Sequence, residues 1–473
     1  MKPARFLVIL LASLFVLGLV AGGLALTPAV QRWAVLRAVQ GTPGCKFEVT
    51  SVAAGLTRIR LAGVHLEKSG LTVQLAQLDA DYSLWQFLLH RRLVISGLSG
   101  SGLVVDATRL SRETAGTAAA GAPVVAPGLL TQIELPFALV LGDCVLEGRA
   151  LLPGSAGGAP VAAEFKLTGG KFSPGQEGIL ALAATLKNST PAARVATLRA
   201  NVTLRALQSE QNSFSRVSLT AVVDAEGRTL SGAEQLRIAT QLGTTPTGEH
   251  YDLTIDTLVR GAAENVLTVH GTLPTGSQEY AGDWKLLART AQLEPFFLGA
   301  GLPEFNTHGA GRFTYNPVTA AASLQGGLTA DVSRLEALEP AWRPIGAVKA
   351  TAQFDLVATA GVARLNQLDL TLAGDQPVLA LSAARAAEIH FKERRLSLGG
   401  ATPGEAISLT LQGLPLAWVR PFVPTVDVSG GLVTGQLAIN GESDHLTLRA
   451  VEPLRLSQLT VVEAGRLLLA KAD

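Results

Sequence analysis

Hydrophobic and polar residues alternate with a period of two along most of the chain beyond residue 46, and this pattern predicts half-buried β-strands. Leu71, Val73 and Leu75, for example, alternate with polar or small residues at 72, 74 and 76. The apolar positions that we predict to share one face are Leu71, Val73, Leu75, Val202, Leu204, Leu253, Ile255, Leu368, Leu370, Leu372, Leu409, Leu437 and Ile439. Gly, Asn, Asp or Pro interrupts the runs at intervals of roughly 10–15 residues, as strand–turn–strand topology requires. The body of the protein is therefore predicted to be mainly β, with roughly 25–30 strands.

The N-terminus carries a different pattern, an uninterrupted apolar run. It begins at Phe6 and ends at Leu26, with one Ser as its only polar side chain. A helix of this length spans roughly 30 Å, the thickness of a bilayer's hydrocarbon core. Lys2 and Arg5 precede the run, so the positive-inside rule keeps the N-terminus cytoplasmic and exports the rest. The alternative is a cleaved signal peptide, but its apolar core would be shorter, so we favour an uncleaved single-pass anchor over residues 1–26.

A short amphipathic helix is predicted next, at 27–41. Thr27 is suited to its N-cap and Pro28 to its first position. Trp33 suits a helix at the membrane–water boundary. An ordinary first helix that caps the following sheet is the alternative.

Composition shifts suggest how the exported part is organised. An N-terminal β region at 42–110 is followed by a linker or long loop at 111–130, rich in small residues, Pro and Gly. A repetitive β body is predicted at 131–473. Within it, 293–316 and 419–440 share a helical turn, a Gly cluster and a strand that ends on Asn, and 335–354 resembles a third copy.

The charge balance excludes a nucleic-acid partner. The 473 residues carry 39 Lys and Arg against 38 Asp and Glu, interspersed, for a net charge of +1. Only 16% of residues are charged, below the usual quarter, whereas 48% are hydrophobic. An exported protein this apolar must either hide a large surface or use it.

The chemistry-bearing residues do not form a recognisable catalytic or metal site. The seven histidines are scattered without metal-ligand spacing, and neither a nucleophile elbow nor a phosphate-binding loop is present. Asp79 and Asp81 fall on one face of a strand, and we interpret them as a solvated strand end. We predict no enzyme, no cofactor and no metal. Cys45 and Cys144 could form a disulfide in an oxidising compartment, or remain two buried thiols.

The apolar face itself is the informative feature. A sheet with one apolar and one polar side must pair with a second sheet, coil into a filled solenoid, or curl around something apolar. A curled sheet left open along its length would present a continuous hydrocarbon-lined groove.

Two stretches carry a resemblance to a known family. The strand series at 58–108 contains a Tyr-Ser-Leu helical turn at 82–89 and strands at 93–98 and 102–106. The later segment at 414–450 has a helix, a turn and the strand SGGLVTGQLAIN. Together they resemble AsmA-like proteins of the AsmA/TamB type, in the bridge-like lipid transfer superfamily of diderm bacteria.

The resemblance implies a fold and a function. It implies an N-terminal transmembrane helix followed by a long, curled, mostly antiparallel β-sheet, a taco-like groove with a few short helices. The protein would sit in the cell inner membrane with its bulk in the periplasm. It would bind phospholipid acyl chains and carry phospholipid between the inner and outer membranes, or support outer-membrane lipid homeostasis, with an outer-membrane or periplasmic protein as a further partner. An assembly factor for outer-membrane proteins, or a structural or adhesive β-protein with a filled core, are the alternatives.

Overall fold

A computed structural model describes residues 45–472, apart from residues 69, 109–129, 131–137, 153–160, 188–194, 211–212, 228–231, 298–301, 317, 360, 384–386, 391–394, 399–406, 420–427, 443–444 and 464–465. The described residues contain 25 strands and a few short helices. The predicted mainly β, mostly antiparallel architecture is therefore confirmed. The predicted anchor at 1–26 and the helix at 27–41 lie outside the described residues.

The chain divides into two compact units. Unit 1 comprises 1–119 and 133–227, and unit 2 comprises 120–132 and 228–473. The predicted repetitive body at 131–473 is thus divided between the two units.

Unit 1 is a nine-stranded sheet with one short helix. Its strands are β1 Cys45–Ala54, β2 Arg58–Lys68, β3 Leu71–Tyr82, β4 Arg92–Asp106, β5 Ala138–Leu152, β6 Val161–Phe172, β7 Glu177–Lys187, β8 Thr197–Gln208 and β9 Phe214–Glu226. Helix α1, Leu84–His90, joins β3 to β4. Consecutive strands pair antiparallel except β4 and β5, which are parallel. A parallel pair needs a long crossover. The predicted linker at 111–130 falls within that crossover, and only its residue 130 is described.

One interruption crosses the first four strands of unit 1. Each of these strands contains a residue that is left out of the pairing with the neighbouring strand: Thr50 in β1, Gly63 in β2, Ala76 in β3 and Gly102 in β4. Both glycines have left-handed backbones, with φ +61° and +66°, a conformation that other residues adopt at a cost. The strands that we predicted separately at 93–98 and 102–106 are therefore one strand, β4, whose backbone is irregular at Gly102.

This row of irregularities keeps apolar side chains on one face. A regular strand would place Leu75 and Leu78 of β3 on opposite faces, because they are three residues apart. A Cβ built on Gly100 of β4 would stand 3.2 Å from Leu78 Cδ1 and 2.7 Å from Leu146 Cδ2. On β5, Leu146 and Gly148 lie two residues apart and share a face. Gly148 is opposed to Leu103 of β4, and Leu103 is opposed to Leu75 of β3. Leu75 and Leu78 thus share a face across the bulge, as bulged strands allow.

Unit 2 is a sixteen-stranded sheet. Its strands are β10 Ala233–Thr245, β11 Gly248–Val259, β12 Ala262–Pro274, β13 Tyr280–Arg289, β14 Glu304–Asn316, β15 Ala321–Ser333, β16 Val348–Thr359, β17 Val362–Ala373, β18 Pro377–Ala383, β19 Ala387–His390, β20 Arg395–Leu398, β21 Ile407–Pro415, β22 Val428–Glu442, β23 His445–Ala450, β24 Arg455–Glu463 and β25 Arg466–Ala472. Strands β10 to β18 pair antiparallel in sequence order.

The order branches after β17. One half of β17 pairs with β18 and the other half with β19, which forms a hairpin with β20. The main ladder continues from β18 to β21 and β22. Strand β22 in turn pairs with β23 and β24, and β24 pairs with β25.

Short helical segments recur at the C-terminal ends of several strands of unit 2. Helix α2, Thr290–Leu293, continues into a 3-10 turn at Glu294–Phe296, after β13. Two 3-10 turns, Leu335–Ala337 and Pro340–Ile345, follow β15, and helix α3, Leu416–Val419, follows β21. Antiparallel neighbours run in opposite directions, so alternate strands run in the same direction. The C-terminal ends of β13, β15 and β21 therefore point the same way. Two copies of the predicted repeat, 293–316 and 335–354, thus contain a helical turn followed by a strand, whereas α3 ends at Val419, the first residue of the copy at 419–440.

Replacing Gly63 by Ala tests the interruption in unit 1. A left-handed backbone costs a non-glycine residue about 1–2 kcal/mol, and the added Cβ would stand 2.2 Å from Thr50 Oγ1. We expect Gly63→Ala to lower the urea midpoint of unfolding of the full chain, followed by the circular dichroism of its β-sheet.

The matched control is Gly55→Ala. Gly55 lacks a positive φ, and its Cβ would stand 3.5 Å from the Arg58 carbonyl oxygen, an ordinary contact. Equal midpoints for the two variants would contradict the assigned role of Gly63.

Candidate functional site

The pairing register brings the predicted apolar positions of unit 2 onto one face. Residues directly opposite each other in a ladder share a face of the sheet. From β11 to β22 one unbroken series of opposed residues is Ile255, Leu267, Leu286, Gly309, Leu328, Ala352, Leu370, Leu381, Leu409 and Leu437. A second series of opposed residues, two positions away along each strand, is Leu253, Val269, Trp284, Gly311, Gly326, Phe354, Leu368, Ala383, Ile407 and Ile439. Leu372 joins them, opposite Leu379. We call this surface the unit 2 apolar face.

The predicted positions of unit 1 share a second such surface. One series of opposed residues, which starts at Val73, is Val73, Val105, Ala150, Ala163, Leu186, Leu198 and Ala225. Leu71 and Leu75 lie two residues from Val73, and Val202 and Leu204 lie on the same face of β8 as Leu198. We call this surface the unit 1 apolar face.

Neither apolar face is sealed in the part of the chain that the structure describes. All thirteen predicted residues are half-buried, and none is buried. The only buried leucines among the described residues are Leu130, Leu273 and Leu411, and most other buried apolar side chains are Ala or Val. A sandwich or filled solenoid would bury its inward leucines between two layers. The leucines of the two apolar faces instead remain in partial contact with solvent.

The opposite face of the unit 1 sheet is polar and carries cross-strand ion pairs. Arg58 donates to Asp81 at 2.5 Å and Arg60 donates to Asp79 at 2.9 Å. Exposed pairs of this kind add little stability, but they make this face of the sheet strongly hydrated. The two aspartates, predicted to be a solvated strand end, are thus partners of two arginines. The hydrogen bond from Arg58 lowers the pKa of Asp81 below its usual range and raises the pKa of Arg58.

The polar face of unit 2 has the same character. His270 Nδ1 lies 2.7 Å from Asp252 Oδ1 of the neighbouring strand. The Gln367 amide and the Ser382 hydroxyl both donate to Asp369, at 2.9 and 2.6 Å, and these hydrogen bonds lower the pKa of its carboxyl group. Asp369 is the chain neighbour of Leu370, so the polar and apolar surfaces are separated by one residue along the strand.

Trp284 is a feature of the unit 2 apolar face that the sequence pattern did not single out. Its ring stacks on Phe354, with centroids 6.3 Å apart and planes inclined by 11°. The indole crosses two intervening strands above Gly311 and Gly326, where an added Cβ would stand 2.8 Å from Trp284 Nε1 and Cζ2, respectively. The glycines were visible in the sequence, but only the register shows that they lie between these two aromatic rings.

Cys144 lies on β5 as a buried free thiol. Burial raises the pKa of this thiol, which disfavours the reactive thiolate. Cys45 begins β1, and its side chain lies outside the described residues. The pairing of Cys45 with Cys144 therefore stays a prediction.

No group of three His, Cys, Asp or Glu side chains that could hold a metal ion occurs within the described ranges. None of the described helices has the length and apolarity needed to cross a bilayer, and the anchor predicted at 6–26 lies outside them.

Comparison with protein-family models, curated proteins and solved structures finds no match to this chain. The family resemblance therefore stays a prediction.

Replacing Gly326 by Ala tests whether the indole ring of Trp284 needs a glycine beneath it. The new methyl group would displace the indole from Phe354, so we expect a red-shifted tryptophan emission and a lower urea midpoint for the full chain. Gly374→Ala is the control, because its Cβ would stand 3.5 Å from Trp418 Cζ2, an ordinary contact. An unchanged emission spectrum in Gly326→Ala would show that the indole does not depend on this glycine.

Proposed function

We propose that the chain is an inner-membrane-anchored periplasmic protein that carries phospholipid between the inner and outer membranes, with the acyl chains held against its apolar faces. One observation supports this proposal most directly. In unit 2 the half-buried apolar residues continue without a break from β11 to β22, across ten paired strands. The N-terminal anchor, the periplasmic location and the curl of the sheet into a groove belong to the same proposal.

The dimensions suit acyl chains. Ten strands at a spacing of about 4.8 Å give an apolar strip of roughly 43 Å. One phospholipid tail occupies half of a bilayer core, or about 15 Å. The strip is thus longer than one tail, and a tail can occupy several overlapping positions along it.

The chemistry of the strip suits movement rather than fixed binding. Leu, Ile, Val, Ala and Gly make up most of it, and they offer a tail about 25 cal/mol per Å² of apolar surface removed from water. Successive positions offer similar surface, so the free energy changes little as a tail moves from strand to strand. Polar headgroups would remain in water at the open side of the groove.

The observed burial argues against the filled-core alternative. That alternative requires inward leucines covered by a second layer, whereas the predicted residues in both units are half-buried. An assembly factor for outer-membrane proteins would use unpaired strand edges to template its client. Substitutions on the apolar face therefore separate this alternative from lipid carriage, because they leave the strand edges unchanged.

Site-specific photocrosslinking tests the proposal directly. A photoreactive amino acid is placed at Leu370, on the apolar face, or at its exposed neighbour Thr371, which alternation places on the polar face. We expect ultraviolet light to produce a phospholipid adduct, identified by mass spectrometry, in the full chain labelled at 370 but not at 371. Equal adduct levels at the two positions, or none at 370, would contradict lipid carriage on this face.

A charge on the same face should interrupt the path. Leu409 lies two strands from Leu370 through Leu381, or roughly 10 Å, within the reach of one tail. We expect Leu409→Asp to lower the adduct at position 370 by roughly tenfold, which corresponds to about 1.4 kcal/mol of lost binding.

Thr410→Asp is the matched control, since it adds the same charge to the opposite face of the same strand. Both variants should be exported at normal levels. If Leu409→Asp reduced the adduct no more than Thr410→Asp does, a lipid path across β21 would be excluded.

A further inference from the structure

Helix α1 of unit 1, Leu84–His90, exposes nearly all of its apolar side chains. Trp85 is 66% exposed, Leu88 61%, Leu89 71% and Phe87 40%, and no residue of the helix is buried. An exposed cluster of large apolar side chains this dense indicates an interaction surface.

The exposure belongs to a well-formed helix. The Ser83 hydroxyl accepts a hydrogen bond from the Gln86 N–H at 3.4 Å and caps the N-terminus. At the other end Arg91 adopts a left-handed backbone, and its N–H donates to the carbonyls of Gln86 and Phe87. The Ser83 N–H also donates to the Val94 carbonyl at 3.0 Å, which ties the helix to β4. These bonds hold a helix of two turns that would be unstable in water by itself.

The charges beside α1 are positive. The helix contains no acidic residue, and Arg91 and Arg92 follow it, both exposed. Within the described residues neither arginine forms an ion pair with a carboxylate. The nearest acidic residues along the chain, Asp79 and Asp81, are already paired with the arginines of β2.

We propose that α1 inserts into the surface of an anionic phospholipid membrane. Trp85, Leu88 and Leu89 would enter the boundary between headgroups and acyl chains, where Trp is favoured, while Arg91 and Arg92 contact the phosphates. At seven residues the helix is roughly 10 Å long, so it lies in one leaflet and cannot span the bilayer. The inference does not depend on whether the apolar faces carry lipid.

A second copy of the chain fits this surface less well. A two-fold contact would place the same patch against itself and bring the two Arg91–Arg92 pairs close together. Like charges at such short distance oppose association, whereas a lipid surface of negative charge favours the same arginines.

The test uses the full chain reconstituted into vesicles of phosphatidylcholine and phosphatidylglycerol. An environment-sensitive fluorophore is attached to Leu89→Cys in a Cys45→Ser background, which leaves buried Cys144 in place. The control label is at Leu338→Cys in unit 2, where Leu338 is 56% exposed. We expect a blue-shifted emission at position 89, and loss of most of that emission when the lipids carry nitroxide groups near the headgroup. Position 338 should show neither change.

The arginines provide the second arm. Arg91→Asn with Arg92→Gln should weaken the nitroxide quenching at position 89 in vesicles that contain phosphatidylglycerol, and added salt should then have little further effect. Asn is used at position 91 because it tolerates the left-handed backbone.

Three results would overturn the proposal. The first is a water-like emission at position 89 that nitroxide lipids do not quench. The second is a blue-shifted emission that nitroxide lipids also leave unchanged, because a protein surface rather than lipid would then cover α1. The third is equal quenching at 89 and 338, which would indicate indiscriminate adsorption. The crosslinking at Leu370 is a separate measurement, so a negative result in one experiment does not change the interpretation of the other.

Discussion

The structure depends on one constraint, the agreement between the alternation of apolar residues and the register of hydrogen-bonded strands. Side chains alternate between the faces of a strand, so a slip of one residue would transfer a whole set of leucines to the polar side. In unit 2 the register keeps Leu370, Leu381 and Leu409 opposite one another across three strands. The two faces differ in chemistry only because this agreement is maintained from strand to strand.

Irregular positions of the backbone serve the same constraint. In unit 1 the apolar pattern changes phase within the first strands, and Gly63 and Gly102 take left-handed backbones where it does so. In unit 2 small residues give Trp284 room to reach Phe354 across two strands. Substitutions at these glycines would disturb the apolar faces, although no glycine contributes apolar side-chain surface of its own.

The apolar faces and α1 expose hydrophobic surface in different ways. The faces consist mainly of aliphatic side chains, most of them half-buried by their neighbours in the sheet. Helix α1 instead projects Trp85 and Leu89 well into solvent, beside two arginines. A single lipid tail suits the first environment and a membrane surface suits the second, so the two proposals concern separate surfaces with separate readouts.

The family resemblance placed a helical turn at 82–89, where the structure has α1 at Leu84–His90. The sequence by itself determined the mainly β architecture and the local strand pattern, because period-two alternation and turn residues are local properties. It also determined which residues of each strand are apolar. Only the tertiary structure decided that strands at 93–98 and 102–106 are one, that β4 and β5 are parallel, that Asp79 and Asp81 meet arginines, and that Trp284 lies over glycines. Each of these features depends on which strand lies beside which and in what register. Hydrogen bonds between residues far apart in the chain fix the neighbouring strands and their register. Alternation within a single strand does not specify either.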